Sequence, residues 1–323
     1  MKNLKDKKIY IAGHNGMVGS ACKRILERSG YKNLIFKSSS ELDLKDYSSV
    51  EDFINEEKPY AIINAAAKVG GILANDTYQY EFLSDNLLIQ NNLINNSHFF
   101  NVSKFIFLGS SCIYPKFSKQ PIKESYLLTD SLEPTNQWYA IAKIAGVKLI
   151  ESLRNQYNKN YVSLMPTNLY GPNDNFDPKT SHVIPGLIQK FHKSKLKNNK
   201  YLRVWGSGRP LREFLHVDDL SDAIVFLMKK VNAYEVYDKK ISQINIGSGD
   251  EISIKNLAYI LKDIVGYKGQ IVFDESMPDG TPRKLLDCSF LKEKGWVSST
   301  PLDSGLNDLY EFYKKKIENR QSK

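Results

Sequence analysis

The chain has 323 residues, of which 41% are hydrophobic and 25% charged, with a formal net charge of +9 at pH 7. This composition and length predict a globular protein made of one large domain and a smaller one. The sequence has no signal pattern and no apolar run of about eighteen residues, which argues against a membrane partner and predicts a cytoplasmic protein. Its three cysteines have neither metal-ligand nor disulfide spacing, which argues against a metal. It also lacks a basic groove with interleaved aromatics, which argues against nucleic acid.

A glycine loop follows the first predicted strand, which lies near residues 8–12. The glycines are Gly13, Gly16 and Gly19, with Met17 and Val18 between the last two, and a helical pattern of Val18, Cys22, Ile25 and Leu26 follows the first two. Glycines permit a tight turn and the close approach of a pyrophosphate to a helix amino terminus, where N–H groups and the helix dipole favour an anion. The loop therefore predicts a dinucleotide-binding site.

The second predicted strand, near residues 33–37, ends in Lys37 and three serines. An acidic residue at this place would accept hydrogen bonds from the adenosine ribose, whereas a lysine and serines can bind a 2′-phosphate. NADP(H) is therefore favoured over NAD(H). Asp43 comes next; it can accept from the adenine amino group, or it can begin the following helix.

Further strands are predicted near residues 60–65, 104–109, 161–166 and 243–246. Helical patterns separate most of them. Alternation of this kind is typical of an α/β protein with a doubly wound parallel sheet.

The strand near residues 104–109 ends in a glycine, two serines and a cysteine. Groups just past the carboxyl end of a parallel strand line the ligand crevice, where Ser110 can donate a hydrogen bond to a substrate oxygen. The alternative is that these serines bond only the backbone of a turn.

Tyr139 and Lys143 stand four residues apart in a run of small, helix-tolerant residues. Both side chains therefore leave one face of a helix, where the cation favours the ionised phenol and the pair can exchange a proton at an alcohol or ketone oxygen near neutral pH. Such spacings also arise by chance. Tyr310 and Lys314 repeat the spacing in a charged carboxyl-terminal stretch, which we interpret as a surface helix. The first pair predicts carbonyl reduction.

The pattern changes after Tyr170. Loops rich in Asn, Pro and Gly come first, then a helical stretch from Ser181, and later an irregular segment near residues 277–282. We predict a dinucleotide-binding domain of residues 1–170 plus about 213–245. The substrate-binding domain is predicted at about 171–212 plus 246–323.

Long stretches of the chain resemble the extended short-chain dehydrogenase/reductases, and nearly its whole length resembles the GDP-L-fucose synthase family. The stretches that carry the resemblance are Ile11–Ser20, Ala65–Gly71, Phe107–Lys116, Met165–Pro172, Ser181–Pro185, Arg212–Asp219 and Pro278–Asp287. The resemblance implies a GDP-4-keto-6-deoxy sugar as substrate, C3 and C5 epimerisation and NADPH-dependent C4 reduction. The family converts GDP-4-keto-6-deoxy-mannose to GDP-L-fucose.

The same resemblance implies that Ser110, Tyr139 and Lys143 form the reductase triad, with Tyr139 as the acid and Lys143 also holding the nicotinamide ribose. It implies that Cys112 and His182 are the base and the acid of epimerisation. Taken alone, a cysteine at a strand end or a histidine before a helix is more often structural.

A C4 ketone acidifies the hydrogens at C3 and C5, so a thiolate and an acid on opposite faces of the ring can invert each centre. We expect the pKa of Cys112 to be lowered by nearby cations and His182 to titrate close to neutral pH.

The resemblance also implies binding contacts. For the cofactor these are, besides the glycine loop, Lys37, Asp43 and Lys143, the residues Ala65, Ala66, Ala67, Pro166, Asn168 and His182. For the nucleotide sugar they are Ser111, Asn168, Lys190, Trp205, Arg212, Arg283 and Lys284. The last three match diphosphate contacts, although each can equally form a surface ion pair. A homodimer through two helices per subunit, one carrying Tyr139, is expected by analogy.

Three places depart from the family pattern. Asn15 replaces an arginine of the glycine loop, which weakens, without removing, the preference for NADP. Gln137 and Trp138 replace Glu-Pro before Tyr139, and Gln189 and Lys190 replace a pair of arginines. The substrate could therefore be a GDP-6-deoxy-4-keto-heptose that the enzyme reduces at C4, with or without epimerisation. A nucleotide-sugar 4-epimerase with tightly bound cofactor is a second alternative. A non-catalytic relative would be expected to lose Tyr139 or Lys143.

Overall fold

The computed structural model describes residues 4–178, 180–277 and 279–321, without the side chains of residues 320 and 321. Pro278, the first residue of the stretch Pro278–Asp287, lies outside the described residues. So do residues 1–3, 179, 322 and 323.

The strands of the described residues follow in chain order. They are β1 (Ile9–Ala12), β2 (Leu34–Ile35), β3 (Ala61–Asn64), β4 (Lys104–Leu108), β5 (Tyr161–Pro166), β6 (Asn168–Tyr170), β7 (Tyr201–Trp205), β8 (Leu211–His216), β9 (Ile244–Ile246), β10 (Glu251–Ser253), β11 (Gln270–Asp274) and β12 (Arg283–Lys284).

The α-helices of the described residues are interleaved with these strands. They are α1 (Met17–Arg28), α2 (Tyr47–Glu57), α3 (Ile72–Thr77), α4 (Gln79–Phe99), α5 (Gln137–Tyr157), α6 (Val183–Leu196), α7 (Val217–Lys230), α8 (Ala233–Asp238), α9 (Ile254–Val265), α10 (Ser289–Glu293) and α11 (Leu302–Gln321). Within the described part of the chain, no helix combines the length and the apolar character needed to cross a bilayer.

Six strands form one parallel sheet in the order β2-β1-β3-β4-β5-β9. The predicted fold class and its six strands are confirmed, although β2 is shorter than expected. The strand order reverses between β1 and β3, and in open α/β sheets ligands bind at the carboxyl ends of strands beside such a reversal. The segments that leave this edge carry the glycine loop and residues 65–67.

Both faces of this sheet are buried, because successive strand residues point to opposite sides. Ile9 and Ile11 pack with α1 and α7 in one cluster, whereas Tyr10 and Ala12 pack with α2, α4 and α5 in another. Helices α6, α9 and α11 form a third cluster. Tyr310 of the repeated Tyr-x-x-x-Lys spacing packs there, and its hydroxyl lies 3.0 Å from His192 Nδ1. The predicted helix is confirmed, and packing accounts for this tyrosine.

Two smaller sheets lie outside the parallel sheet. Strand β8 pairs with β10, β12 and β6, and β7 pairs with β11. The buried Glu213 carboxylate of β8 accepts from the backbone N–H groups of Gly249 (2.8 Å) and Leu286 (3.1 Å). It therefore ties the loops after β9 and β12 to this sheet.

Helix α5 packs on the Phe107 ring of β4 and on Gln90 of α4. A Cβ on Gly146 would overlap the end of the Phe107 ring, and Gln90 Nε2 of α4 donates to the Ala142 carbonyl at 2.6 Å. These contacts fix the height of α5 above the sheet. They therefore position Tyr139 and Lys143, which lie on its first two turns.

Gly146→Ala is expected to destabilise the protein. In an ordinary helix this change stabilises by about 1 kcal/mol, but a methyl group that must displace a packed ring costs about 1–3 kcal/mol and reverses the sign. The free energy of unfolding in urea would measure it. Lys148→Ala, at an exposed position of the same helix, is the control and should stay within about 0.5 kcal/mol of wild type. A more stable Gly146→Ala protein would contradict the tight contact.

Candidate active site

The glycine loop lies between β1 and α1 and approaches the segment after β3. Gly13 has a φ of +80°, and a Cβ there would come within 2.8 Å of the Ala66 backbone. A Cβ on Gly19 would overlap the Gly13 carbonyl oxygen. Gly16 is the N-cap of α1, so no side chain caps the first turn. The backbone N–H groups of this turn, from Met17 onward, can bind an anion.

A carboxylate that the sequence prediction did not consider closes the serine turn after β2. The backbone N–H and the hydroxyl of Ser38 donate to Glu41 Oε2 at 2.7 and 2.6 Å, and Ser38 Oγ lies 3.0 Å from Ser40 Oγ. These bonds lower the pKa of Glu41. A phosphate beside Lys37 would have to share the serines with this carboxylate. The only sequence signal was that Glu41 directly follows the serines.

Asp43 does not begin the next helix. Its Oδ1 accepts from the Lys45 N–H at 3.0 Å, whereas Asp46 is the N-cap of α2 and accepts from the Ser49 N–H at 2.7 Å. The helix-start interpretation of Asp43 is therefore wrong. Its adenine contact stays a prediction.

Tyr139 and Lys143 reach the carboxyl end of β4. Lys143 Nζ donates to the Leu108 carbonyl at 2.8 Å and lies 5.6 Å from the centre of the Tyr139 ring. The Tyr139 ring packs edge-to-face on Phe82 of α4, with 6.3 Å between ring centres. The predicted pair therefore shares one place, next to the strand end that carries Ser110.

Ser110 caps a short 3-10 helix, Ser111–Ile113, and its Oγ accepts from the Cys112 N–H at 3.3 Å. The alternative that the serines bond the backbone of a turn therefore holds for Ser110. A hydroxyl that accepts still has its own proton to donate, so Ser110 can also donate to a ligand oxygen.

Burial shifts both members of the pair toward their neutral forms. It raises the pKa of the Tyr139 phenol far above its ordinary value, and Cys112 adds to this shift; it lowers the pKa of Lys143 to about 8. The expectation that the cation brings the phenol near neutral ionisation is therefore wrong. A phenol that stays protonated is the form that can donate a proton to a carbonyl oxygen.

The pKa of the buried Cys112 thiol is raised, contrary to expectation. Burial is the largest cause and outweighs the opposing influences of Lys284, the Ser110 hydrogen bond and Lys143. His182 is the N-cap of α6, so this helix begins at Val183 rather than at Ser181. Desolvation, followed by the charge of Lys284, lowers the pKa of His182. One ammonium therefore acts on both predicted epimerisation groups.

A small cavity lies beside Cys112. Among its lining residues are Lys116, Glu133, Asn136 and Lys284. Lys116 Nζ lies 2.8 Å from Glu133 Oε2, and this ion pair was not anticipated from the sequence. Lys116 stands in a family-like stretch, but no pattern marked Glu133.

The predicted nucleotide-sugar contacts fall into separate groups. Lys190 Nζ lies 4.8 Å from the centre of the half-exposed Trp205 ring, whereas Asn168 Nδ2 donates to the Glu213 carbonyl at 2.8 Å. Ser111 is buried beside Cys112. Lys190 and Trp205 present a cation and an aromatic face together.

The three predicted diphosphate contacts also separate. Arg283 forms a bidentate ion pair with Glu251, at 2.8 and 2.7 Å. Arg212 donates to the Leu211 carbonyl at 2.9 Å and is partly buried. Lys284 lies inside the Cys112 cavity. The ion-pair interpretation is thus realised for Arg283 in this structure.

The remaining predicted cofactor contacts lie at the ends of the parallel strands. Ala65, Ala66 and Ala67 follow β3 and are half-buried, and Pro166 ends β5. Among the residues described, no group of three or more His, Cys, Asp or Glu side chains could hold a metal ion.

Comparison with known proteins places these features in a family. The model of the NAD dependent epimerase/dehydratase family matches residues 9–247. GDP-L-fucose synthase 1 of Arabidopsis thaliana is 52% identical over 316 residues, which are 98% of this chain and 96% of that protein. GDP-L-fucose synthase of Escherichia coli (strain K12) is 49% identical over 314 residues, 96% of this chain and 97% of that protein.

Solved structures agree with this fold. A GDP-mannoheptose C4 reductase from Campylobacter jejuni with NADP bound is 38% identical, with a TM-score of 0.88. The match covers 97% of this chain and 99% of that chain.

Cys112 is expected to react with iodoacetamide before the other two cysteines of the native protein. Burial raises the pKa of Cys22 to about 12 and that of Cys288 still further, and in each of them one cation opposes the shift. Burial also raises the pKa of Cys112, but two ammonium groups, Lys284 and Lys143, oppose it and the residue lines a cavity. Peptide mass spectrometry over time would give the three rates. Equal labelling of Cys22 or Cys288 would contradict this order.

Proposed function

The chain belongs to the NAD dependent epimerase/dehydratase family, and we propose that it converts a GDP-4-keto-6-deoxy sugar by C3 and C5 epimerisation and NADPH-dependent C4 reduction. The substrate is GDP-4-keto-6-deoxy-mannose and the product GDP-L-fucose. The observation that carries the proposal is that Tyr139 and Lys143 lie together at the end of β4, beside Cys112. The names of the plant and bacterial relatives support the substrate.

The glycine loop fits a dinucleotide: Gly13 and Gly19 pack too closely on neighbouring backbone to carry a side chain, and Gly16 at the N-cap leaves the N–H groups of the first turn of α1 without a side-chain cap. NADPH, when bound, supplies the hydride for C4. The NADP-bound relative supports this cofactor over NADH. Its other contacts in this proposal are Met17, Val18, Lys37, Asp43, Ala65, Ala66, Ala67, Lys143, Pro166, Asn168 and His182.

Reduction needs one proton at the C4 oxygen. The Tyr139 hydroxyl donates it, and Ser110 donates a hydrogen bond to the same oxygen. Burial keeps the phenol protonated at neutral pH, which suits this direction of the reaction. Lys143, anchored on the Leu108 carbonyl, keeps its position beside the phenol.

Epimerisation needs a base and an acid on opposite faces of the sugar ring. Cys112 as thiolate removes the proton from C3 or C5, and His182 returns a proton to the other face. The C4 oxygen carries the negative charge in between, and Ser110 and Tyr139 stabilise it through hydrogen bonds.

The nucleotide half of the substrate is held by a set of basic and aromatic side chains. Trp205 and Lys190 offer a ring face and a cation, and Arg212 binds diphosphate oxygens. Arg283 can join them only by sharing or leaving Glu251. Ser111 and Asn168 complete the proposed contacts, whereas Lys284 lines the Cys112 cavity.

The domain division belongs to the same proposal. Residues 1–170 and about 213–245 bind NADP, and about 171–212 and 246–323 bind the nucleotide sugar. The placement of β9 in the parallel sheet and of α7 beside α1 supports this division, as does the separate cluster of α6, α9 and α11.

A cytoplasmic homodimer is the last part of the proposal. The exposed apolar side chains of Tyr80 and Leu88 on α4 and of Ile141 on α5 support pairing through these two helices. The three cysteines are unpaired, which supports a reducing compartment.

A second candidate substrate is a GDP-6-deoxy-4-keto-heptose that is reduced at C4. The indole of Trp138 beside Tyr139 favours a reshaped sugar pocket, and a heptose reductase is among the structural relatives. Incubation of each keto sugar with NADPH, with the product read by NMR, would distinguish the two. Turnover without added NADPH would instead indicate a 4-epimerase with tightly bound cofactor.

Tyr139→Phe is expected to slow NADPH oxidation at least about a hundredfold, because it removes the proton donor. Absorbance of NADPH during turnover would measure the rate, and fluorescence titration should show unchanged NADPH binding. Tyr310→Phe, the repeated spacing, is the matched control and should keep the wild-type rate. Wild-type oxidation by Tyr139→Phe would refute the proposed reduction.

Cys112→Ser is expected to abolish or strongly slow deuterium uptake from solvent at C3 and C5, while some C4 reduction remains. A serine hydroxyl is a far weaker acid than a thiol and supplies no base near neutral pH. NMR of the product formed in deuterated water would report both. Equal loss of both activities in a folded variant would exclude separate roles.

A further inference from the structure

Lys284 and Arg283, the residue before it on β12, have different side-chain partners. Successive strand residues point to opposite faces, and Arg283 is committed to its exposed ion pair with Glu251. Both residues line the cavity that also contains Cys112 and Glu133, but the Arg283 guanidinium is held by Glu251, whereas Lys284 is the residue of this strand that acts on the Cys112 thiol. The strand is held by β8, where Lys284 lies opposite Arg212. The register of β12 therefore places the Lys284 ammonium and the Cys112 thiol on one cavity.

Several charged and polar groups face Cys112 from the elements around it. Lys284 comes from β12, Lys143 and Tyr139 come from α5, and Ser110 comes from the end of β4. Of the two cations, Lys143 is already bonded to the Leu108 carbonyl. Lys284 exerts the larger effect in lowering the pKa of Cys112.

The surroundings of Lys284 also decide its own charge. Burial lowers the pKa of Lys284, with Arg212 adding to the shift, whereas Cys112 and Glu133 raise it. An ionised Cys112 therefore stabilises the ammonium, and the ammonium stabilises the thiolate. Glu133 is shared with Lys116 at 2.8 Å, so it neutralises Lys284 only in part. The Cys112 thiolate therefore supplies the negative charge that Glu133 supplies to Lys284 only in part.

We propose that Lys284 is a positioning residue for epimerisation, whose ammonium stabilises the Cys112 thiolate that takes the proton from C3 or C5. The carbon–hydrogen bond breaks, the sulfur–hydrogen bond forms, and the electron pair passes to the C4 oxygen; no oxidant or reductant takes part. The assignment rests on the proposed function and replaces the diphosphate contact for this residue.

The test is the pH dependence of Cys112 alkylation, which requires no substrate. Native wild type, Lys284→Met, Lys284→Arg and Lys119→Met would be treated with iodoacetamide between about pH 6 and about pH 9, and Cys112 labelling quantified by peptide mass spectrometry. Lys284→Met should react about tenfold more slowly at neutral pH, with its profile moved to higher pH. Lys284→Arg should retain most of the wild-type rate.

Lys119 provides the matched control, because it is an exposed lysine only seven residues after Cys112. Lys119→Met removes the same charge from the protein and should leave the profile unchanged. Should Lys284→Met fail to fold, as judged by circular dichroism, Lys284→Gln replaces it. A wild-type alkylation profile in either folded variant would overturn the proposal.

The diphosphate role makes the opposite prediction. If Lys284 binds phosphate oxygens, Lys284→Met should weaken GDP binding in calorimetry and leave Cys112 alkylation at the wild-type rate, and this result also overturns the proposal. Failure of the proposed function would be visible elsewhere, as unchanged deuterium exchange in Cys112→Ser. Cys112 alkylation thus tests the role of Lys284, and deuterium exchange separately tests the proposed function.

Discussion

The packing of α5 on the Phe107 ring of β4 and on Gln90 of α4 is the constraint on which the site depends. Gly146 lets the helix rest on the Phe107 ring, and Gln90 beside it donates a hydrogen bond to the Ala142 carbonyl. At this height Lys143 reaches the Leu108 carbonyl, one of the last groups of the strand. The side chain at 139 is then at the strand end, where the chain passes into Ser110. A methyl group at position 146 would overlap the Phe107 ring, and the shift that relieves this overlap would disturb the packing that positions the pair.

Burial, rather than charge pairing, governs ionisation in this site. It drives the phenol and the amine of α5 toward their neutral forms, and it raises the pKa of the Cys112 thiol although two cations face it. A protein interior penalises isolated charges, and only an opposite charge in the same cavity compensates. A buried thiol such as Cys112 therefore ionises most readily beside an ammonium that has no full counter-charge of its own. In our proposal Lys284 is this ammonium.

The sequence predicted features that depend on local pattern and failed where tertiary contacts decide. The six parallel strands follow from apolar runs and the alternation with helices, and the loop at Gly13 follows from residues that must approach a neighbouring backbone. Nothing local indicated that Asp46 rather than Asp43 would cap α2. The directions of the pKa shifts also escaped prediction, because they depend on burial by residues distant in the chain. The different partners of Arg283 and Lys284 could not be predicted either, because they depend on the register of β12 on β8.

In the proposed reaction, the same C4 oxygen must first carry negative charge during epimerisation and then accept a proton during reduction. A strongly acidic donor would transfer its proton to the enolate too early, whereas a phenol with a raised pKa can hold a hydrogen bond to it without giving up the proton. Reduction at C4, for which bound NADPH would supply the hydride, would leave an alkoxide that is basic enough to take the proton from Tyr139. Because reduction removes the ketone that acidifies the hydrogens at C3 and C5, epimerisation comes before reduction, and the buried phenol serves first as a hydrogen-bond donor and then as the acid.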